Sequence, residues 1–287
     1  MQAACDRGAT GVPHTAPMSV ASEALTTGWE PGFPVADTML RRYLFHNGEL
    51  CAAFARAGGG HTLDTAALVA ADLGHPGGYW NAATLLQPPS DWDETVEAVE
   101  TFFAGGTGEA MLWSAWPTPD LRERGWRLSG HPPLLVRPPA RALPPPATAL
   151  DTVREVGSTG ELATWERVAV EGYPLPDLAT AAPGAMAGPA LLDDPRLRLW
   201  TAAIDGRPVS AAAAFVAHGI GSLAFGATLP TGRRRGLWRQ LAVARLLAMP
   251  DVWTAGVFSD LSRPGAEALG FTPILRLTLW VRERPTH

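Results

Sequence analysis

Three consecutive arginines, Arg233, Arg234 and Arg235, stand between Gly232 and Gly236, after one apolar run and before a leucine-rich one. Glycine lets backbone come close to a ligand, and a helix start presents unpaired N–H groups with positive polarity. Arginines beside them add charge-assisted donors, so this spacing describes an anion site suited to a phosphate or pyrophosphate. Two familiar phosphate loops do not fit it. A P-loop needs Gly-Lys-Ser/Thr, and the chain contains no lysine; the dinucleotide fingerprint needs three glycines, and Gly232 and Gly236 are the two at hand.

The elements that must carry this loop are a strand and a helix. The strand is the apolar run Ser222 to Leu229, stopped by Pro230, which cannot donate to a ladder. The helix starts near Gly236, runs through Leu237, Leu241 and Leu247, and ends at Pro250. Ahead of them, Val153–Val156 reads as a strand and Ser158-Thr159-Gly160-Glu161 as a capping box. Leu197–Ala202 and Val209–Phe215 flank Asp205-Gly206, a hairpin signal. After the helix come a strand over 253–258, a short segment over 262–269 closed by Gly270, and one strand over 275–281.

The first half reads similarly. One or two helices over 37–57, interrupted around Asn47-Gly48, precede strands over 66–74 and 81–86. Asp91 and Glu94 cap a helix with Trp92, Val96, Val99 and Phe103 on one face, and strands follow over 110–116 and 132–137. Asn81, His75 and Trp80 cluster in a turn-rich segment that packing and turn formation explain. The proline-rich 138–149 stretch is a stiff spacer. The organisation is a disordered tail over 1–20, a first domain over 21–137, the linker, and a second domain over 150–287. Trp113-Ser114 matches Phe258-Ser259, Gly125-Trp126 matches Gly270-Phe271, and Leu135-Val136-Arg137 matches Trp280-Val281-Arg282, all at an offset of 145 residues. That constant register points to duplication. The first copy has Pro88-Pro89-Ser90-Asp91-Trp92-Asp93 where the arginine loop would stand, and acidic residues there cannot hold a pyrophosphate.

The 287 residues carry 46% hydrophobic and 18% charged side chains and a formal charge of −5. Such a chain is globular, and its acidity argues against nucleic acid as a partner. Cys5 and Cys51 are too few for a disulfide framework or a metal site, and no apolar run is long enough to span a membrane. A cytoplasmic monomer or homodimer is expected.

Arg233 and Gly236 give Arg-x-x-Gly-x-x, with Trp238 where a small residue is usual. With the strand before it, the helix after it and Ala268-Leu269-Gly270-Phe271 downstream, residues 150–284 resemble the GNAT (related N-acetyltransferase) superfamily. The whole chain is similar to tandem GNAT proteins with a degenerate N-terminal copy. The resemblance implies an α/β fold of two GNAT-like domains, each a mixed, mostly antiparallel sheet flanked by helices. It implies acetyl-CoA or another acyl-CoA as co-substrate and no metal. Gly226, Ala227 and Thr228 would pair with the pantetheine arm, and Arg233, Arg234, Arg235, Gly236, Leu237 and Trp238 would hold the pyrophosphate. The implied activity is N-acyltransfer to a small-molecule amine; the alternative is a non-catalytic CoA sensor or a regulatory interaction module. The family's thiolate-protonating tyrosine position holds Ala266, so Ser259 and Tyr173 are the substitutes considered. Glu171, Asp177 and His218 are candidate bases, and Asp260 could meet a cationic acceptor.

Overall fold

The computed structural model describes residues 38–76, 79–139, 142–143, 152–173, 175–179 and 181–284. The tail read over 1–20, most of the 138–149 linker and the side chain of Asp177 lie outside these residues. Helix α1 (Met39–Ala57) is continuous, where the sequence reading allowed a break at Asn47-Gly48. Gly48 is a packing position instead: a Cβ there would lie 2.8 Å from Cβ of Val69, so glycine lets α1 sit on β2 (Leu68–Asp72). Asn47 adds a bond from its side-chain amide to Thr84 Oγ1, 2.9 Å away. Tertiary contact overrides two residues that would stop an isolated helix.

The remaining first-half elements are β1 (His61–Asp64), β3 (Ala82–Leu85), α2 (Trp92–Phe103), β4 (Gly108–Ser114), β5 (Arg127–Gly130) and β6 (Pro133–Arg137). The second half holds β7 (Val153–Glu155), α3 (Thr159–Gly172), α4 (Pro176–Ala179), β8 (Leu197–Ile204), β9 (Arg207–Ala217) and β10 (Ile220–Thr228). It closes with α5 (Leu237–Ala248), β11 (Trp253–Val257), α6 (Arg263–Ala268), β12 (Thr272–Arg276) and β13 (Thr278–Arg284). The capping box forms: Ser158 Oγ accepts from Glu161 N–H, and the Glu161 carboxylate accepts from Gly157 N–H. Asp205 and Gly206 both take positive φ, at 50° and 73°, as a tight hairpin requires. The 145-residue register extends to whole elements: α2 and α5 begin at 92 and 237, β5 and β12 at 127 and 272, and β6 and β13 at 133 and 278.

Two mixed, mostly antiparallel sheets result, each flanked by helices, as the fold class read from the sequence has it. The first runs β1-β2-β3-β4-β13-β5 and the second β12-β6-β11-β10-β9-β8-β7. Each half therefore gives its last strand to the other half's sheet. The sequence reading kept 132–137 and 275–281 within their own halves and merged the latter into one strand. That segment is two strands in two sheets, β12 and β13, separated at the fully buried Leu277. Period-two patterning marks a strand but not its partner, which is why the exchange was not visible. Side chains secure it: Arg284 pairs with the buried Asp72, and Arg137 Nε donates to Leu269 O at 2.9 Å.

Helices α3 and α5 cover opposite faces of the second sheet. Ala211, Ala213 and Phe215 of β9 pack with Leu162, Trp165 and Val168 of α3, whereas Ala212 and Ala214 pack with Leu241 and Leu246 of α5. The alternation is the ordinary consequence of a two-residue strand period.

Candidate functional site

The arginine loop stands where the sequence places it. Gly236 caps α5 with φ 76°, Arg234 has φ 62°, and the first bond from helix to loop is Gln240 N–H to Gly236 O at 3.1 Å. The N–H groups of Leu237, Trp238 and Arg239 precede that ladder, and no side chain caps them. Arg233, Arg234 and Arg235 are exposed; Arg233 Nε donates to Thr228 O at 3.3 Å, and no carboxylate pairs with the three among the described residues. The equivalent helix end in the first half is closed. There the Asp91 carboxylate accepts from Asp93 and Glu94 N–H, at 2.8 and 3.1 Å. One helix start is open and positive, and its counterpart is capped by its own acid.

From that open end a cleft leads inward. The parallel ladder of β10 and β11 covers three pairs, ending at Ser222↔Ala255, after which the strands diverge. On its other edge β10 bulges against β9: Ala224 faces Ala213, the next pair is Ala227↔Ala211, and Phe225 takes φ 49°. Phe225 holds the bulge through its ring, which stacks on Trp80 at 5.0 Å and meets Phe54 edge-on at 4.7 Å. Gly226, Ala227 and Thr228 thus lie where the β10 backbone is open toward β11.

The cleft opens into a cavity of about 610 Å³ between the two halves. All three tyrosines of the chain, Tyr43, Tyr79 and Tyr173, line it. Helix α1 presents Tyr43, His46, Asn47, Leu50 and Cys51 to it at helical spacing. Sequence reasoning missed these α1 residues, because the pattern marks a buried face without telling core from cavity wall. His46 Nε2 donates to Phe215 O at 3.0 Å, while its Nδ1 is buried without a partner. Burial lowers its pKa to about 4, and burial pushes the Cys51 thiol up to about 12. Both are uncharged at neutral pH.

Tyr173, the residue after α3, lies half-buried with its ring 6.1 Å from that of Tyr79. Burial first, then Tyr79, raises its pKa to about 12, against a smaller opposing pull from Arg245. Ser259 and Asp260 sit at the mouth. Ser259 Oγ lies 3.0 Å from Ser262 Oγ, and Asp260 accepts from Arg276 Nη2 at 3.0 Å. Trp238 lines the cavity too, edge-on to Phe258 at 6.4 Å. Glu171 is elsewhere, on the exposed side of α3 beside Arg167 at 3.4 Å. His218 is a hairpin residue with φ 51° near Phe45, outside the cavity lining. Ala266 is fully buried in the cluster that holds Leu237 and Leu241 of α5, and it is not among the residues lining the cavity. Asn81 is structural: its side chain accepts from Leu73 N–H and donates to His75 O.

Among the described residues no group of acidic, histidine or cysteine side chains is arranged for a metal, and no helix is long and apolar enough to cross a membrane. No family model matches the chain, and no curated protein matches it. Solved structures do. A GCN5-related N-acetyltransferase from Kribbella flavida is similar at 20% identity and TM-score 0.52, over 84% of this chain and 96% of that one. A GCN5-related N-acetyltransferase from Sphaerobacter thermophilus is similar at 14% identity and TM-score 0.51, over 88% and 96%. A conserved protein of unknown function from Staphylococcus epidermidis follows at 12% and 0.53, over 78% and 93%. Matches of that extent take in both halves, and they relate the fold to that of GNAT acetyltransferases.

Proposed function

We propose that this protein is an acyl-CoA-dependent N-acyltransferase acting on a small-molecule amine. The observation that carries the reading is the diverging β10–β11 cleft, which joins an uncapped, arginine-flanked helix start to an open-mouthed, aromatic cavity. The residues present suit the co-substrate: the α5 amides and Arg233–Arg235 for a pyrophosphate, and the open β10 backbone at Gly226–Thr228 for a pantetheine arm. An acyl-CoA would supply the activated acyl thioester. The bulge and cleft amides of β10 would polarise its carbonyl, and Tyr173, protonated at neutral pH, would give its proton to the departing sulfur. The acceptor amine's lost proton restores the phenol, so nitrogen gains the acyl group and sulfur the proton. Ser259 at the cavity mouth is the second donor in reach.

The register of 145 residues and the capped α2 support a tandem chain whose N-terminal copy keeps the fold without the co-substrate site. A second reading, a non-catalytic CoA sensor, draws on the buried Ala266 in place of a hydroxyl. Calorimetry with acetyl-CoA comes first, and absence of binding at millimolar concentration would sink both readings. A thiol-release assay over an amine panel then separates enzyme from sensor.

A further inference from the structure

Arg245 lies in the last turn of α5, 1% exposed, in the position of an ordinary basic helix-end residue. Its side chain instead enters the second sheet at the bulge. Nη1 donates to Ala213 O at 3.1 Å and to Ala224 O at 3.0 Å, the carbonyls of the last regular pair before the β9–β10 register shifts. Nε donates back to Leu241 O at 3.0 Å. Nη2 has no hydrogen-bond partner among the described residues and lies 3.7 Å from where a Cβ on Gly226 would stand. The guanidinium thus spans the sheet from the α5 face and becomes part of the cavity wall, which Tyr173 lines from the α3 side.

A buried cation is costly unless an anion or a full set of acceptors answers it. Among the described residues no carboxylate answers this one: Asp260 is the one acid of that set lining the cavity, and it is paired with Arg276. Of the other buried polar groups of the wall without partners, three can donate, Trp80 Nε1, Trp113 Nε1 and Ser222 Oγ, and one, the neutral His46 Nδ1, accepts. A wall with a spare guanidinium edge, more spare donors than acceptors and no free acid among the described residues is complementary to an anionic, acceptor-rich ligand. It is a poor match for a polycationic one.

We infer that the cavity takes a ligand bearing a carboxylate, received by the Nη2 edge of Arg245. The inference deepens the acyl-transfer reading and rests on it. The carboxylate could belong to an amino-acid-like acceptor or to the free end of a dicarboxylic acyl group. Calorimetry on the full chain distinguishes the sources with matched pairs. N-acetylphenylalanine against N-acetylphenethylamine tests the acceptor side, and succinyl-CoA against butyryl-CoA tests the acyl side. At least tenfold tighter binding of the carboxylate member in one pair is expected. Arg245→Met should erase that difference, and Leu247→Ser, an exposed change on the same helix, should preserve it. Should Arg245→Met not fold, the wild-type pairs and Arg245→Lys still decide, the lysine variant being expected to keep part of the preference. Equal affinity within twofold in both pairs, or no carboxylate binding at millimolar concentration, overturns the inference. Acetyl-CoA titrated separately reports on the acyl-transfer reading, so a failure of one is distinguishable from a failure of the other.

Discussion

Trp238 and Gly265 meet across the cleft between α5 and α6: a Cβ on Gly265 would fall 2.8 Å from Cζ3 of the indole. The tryptophan occupies space that a small residue would leave empty, and the glycine makes room for it. Gly265→Ala should therefore act as overpacking, costing about 1–3 kcal/mol. Phe at 238 should recover part of that loss. Urea unfolding of the two single variants and the double variant measures the coupling, and strict additivity would show that the added methyl and the ring at 238 do not compete for this space.

The two helix starts should respond oppositely to substitution. Arg233→Ala and Arg235→Ala should each weaken acetyl-CoA about tenfold, the worth of one charge-assisted bond of about 1.5 kcal/mol. Gly236→Asp should do more, because it puts a carboxylate at the anion site and a side chain at φ 76°. Asp91→Ala should cost about 1 kcal/mol of stability and leave acetyl-CoA affinity unchanged. Calorimetry and thermal melts report the two quantities independently.

Acid should weaken the fold through His46. Its pKa is about 4 when folded, against 6.5 for the ordinary imidazole. Between those values the unfolded chain takes up a proton that the folded chain refuses, so stability falls as pH drops through that window. The loss is on the order of 3 kcal/mol by pH 4, and none of it is felt well above pH 6.5. His46→Gln can still donate to Phe215 O and does not titrate. Its unfolding free energy should change less between pH 7 and 4.5 than that of the wild type.

Tyr173→Phe should lower kcat by about 10²-fold, the ordinary worth of a positioned acid, with little change in acetyl-CoA affinity. With the phenol's pKa raised to about 12, the wild-type rate should show no falling limb up to about pH 10. A descending limb near pH 8 would move the acid role to another group.

The buried Arg284–Asp72 pair ties the final strand to the first sheet. Removing one partner, as in Asp72→Asn or Arg284→Met, should destabilise by about 3–5 kcal/mol by stranding the other. Removing both should cost less than the sum, which urea unfolding of all three variants would measure.

What the sequence could reveal was what local chemistry decides. The arginine loop, the caps at Asp91 and Ser158 and the Asp205-Gly206 turn are short-range signals, and the structure carries each of them; at Ser158 the box is reciprocal through Glu161, whereas at Asp91 only the cap's own bonds to Asp93 and Glu94 N–H form. The missed features depend on partners distant in the chain. Asn47-Gly48 looks like a break until Val69 and Thr84 are in place. Arg245 looks like a solvated helix end until a bulge supplies carbonyls for it. Tyr43 and Tyr79 are ordinary apolar-face and turn residues until α1 faces the β10–β11 cleft. The last strands carry regular strand patterns, and which sheet receives them is settled only by the whole fold.

That exchange has a consequence for synthesis. Strands β4 and β5 leave the ribosome with a vacancy between them that is filled by residues 278–284, which follow both in the chain. The first sheet therefore stays unfinished, with two unpaired edges, until those residues have emerged. A chain cut before residue 278 would lose an interior strand of the sheet built mainly by the first half. The presence of residues 278–284 is thus read out in the first-half sheet, and products terminated before them should be insoluble rather than partly active.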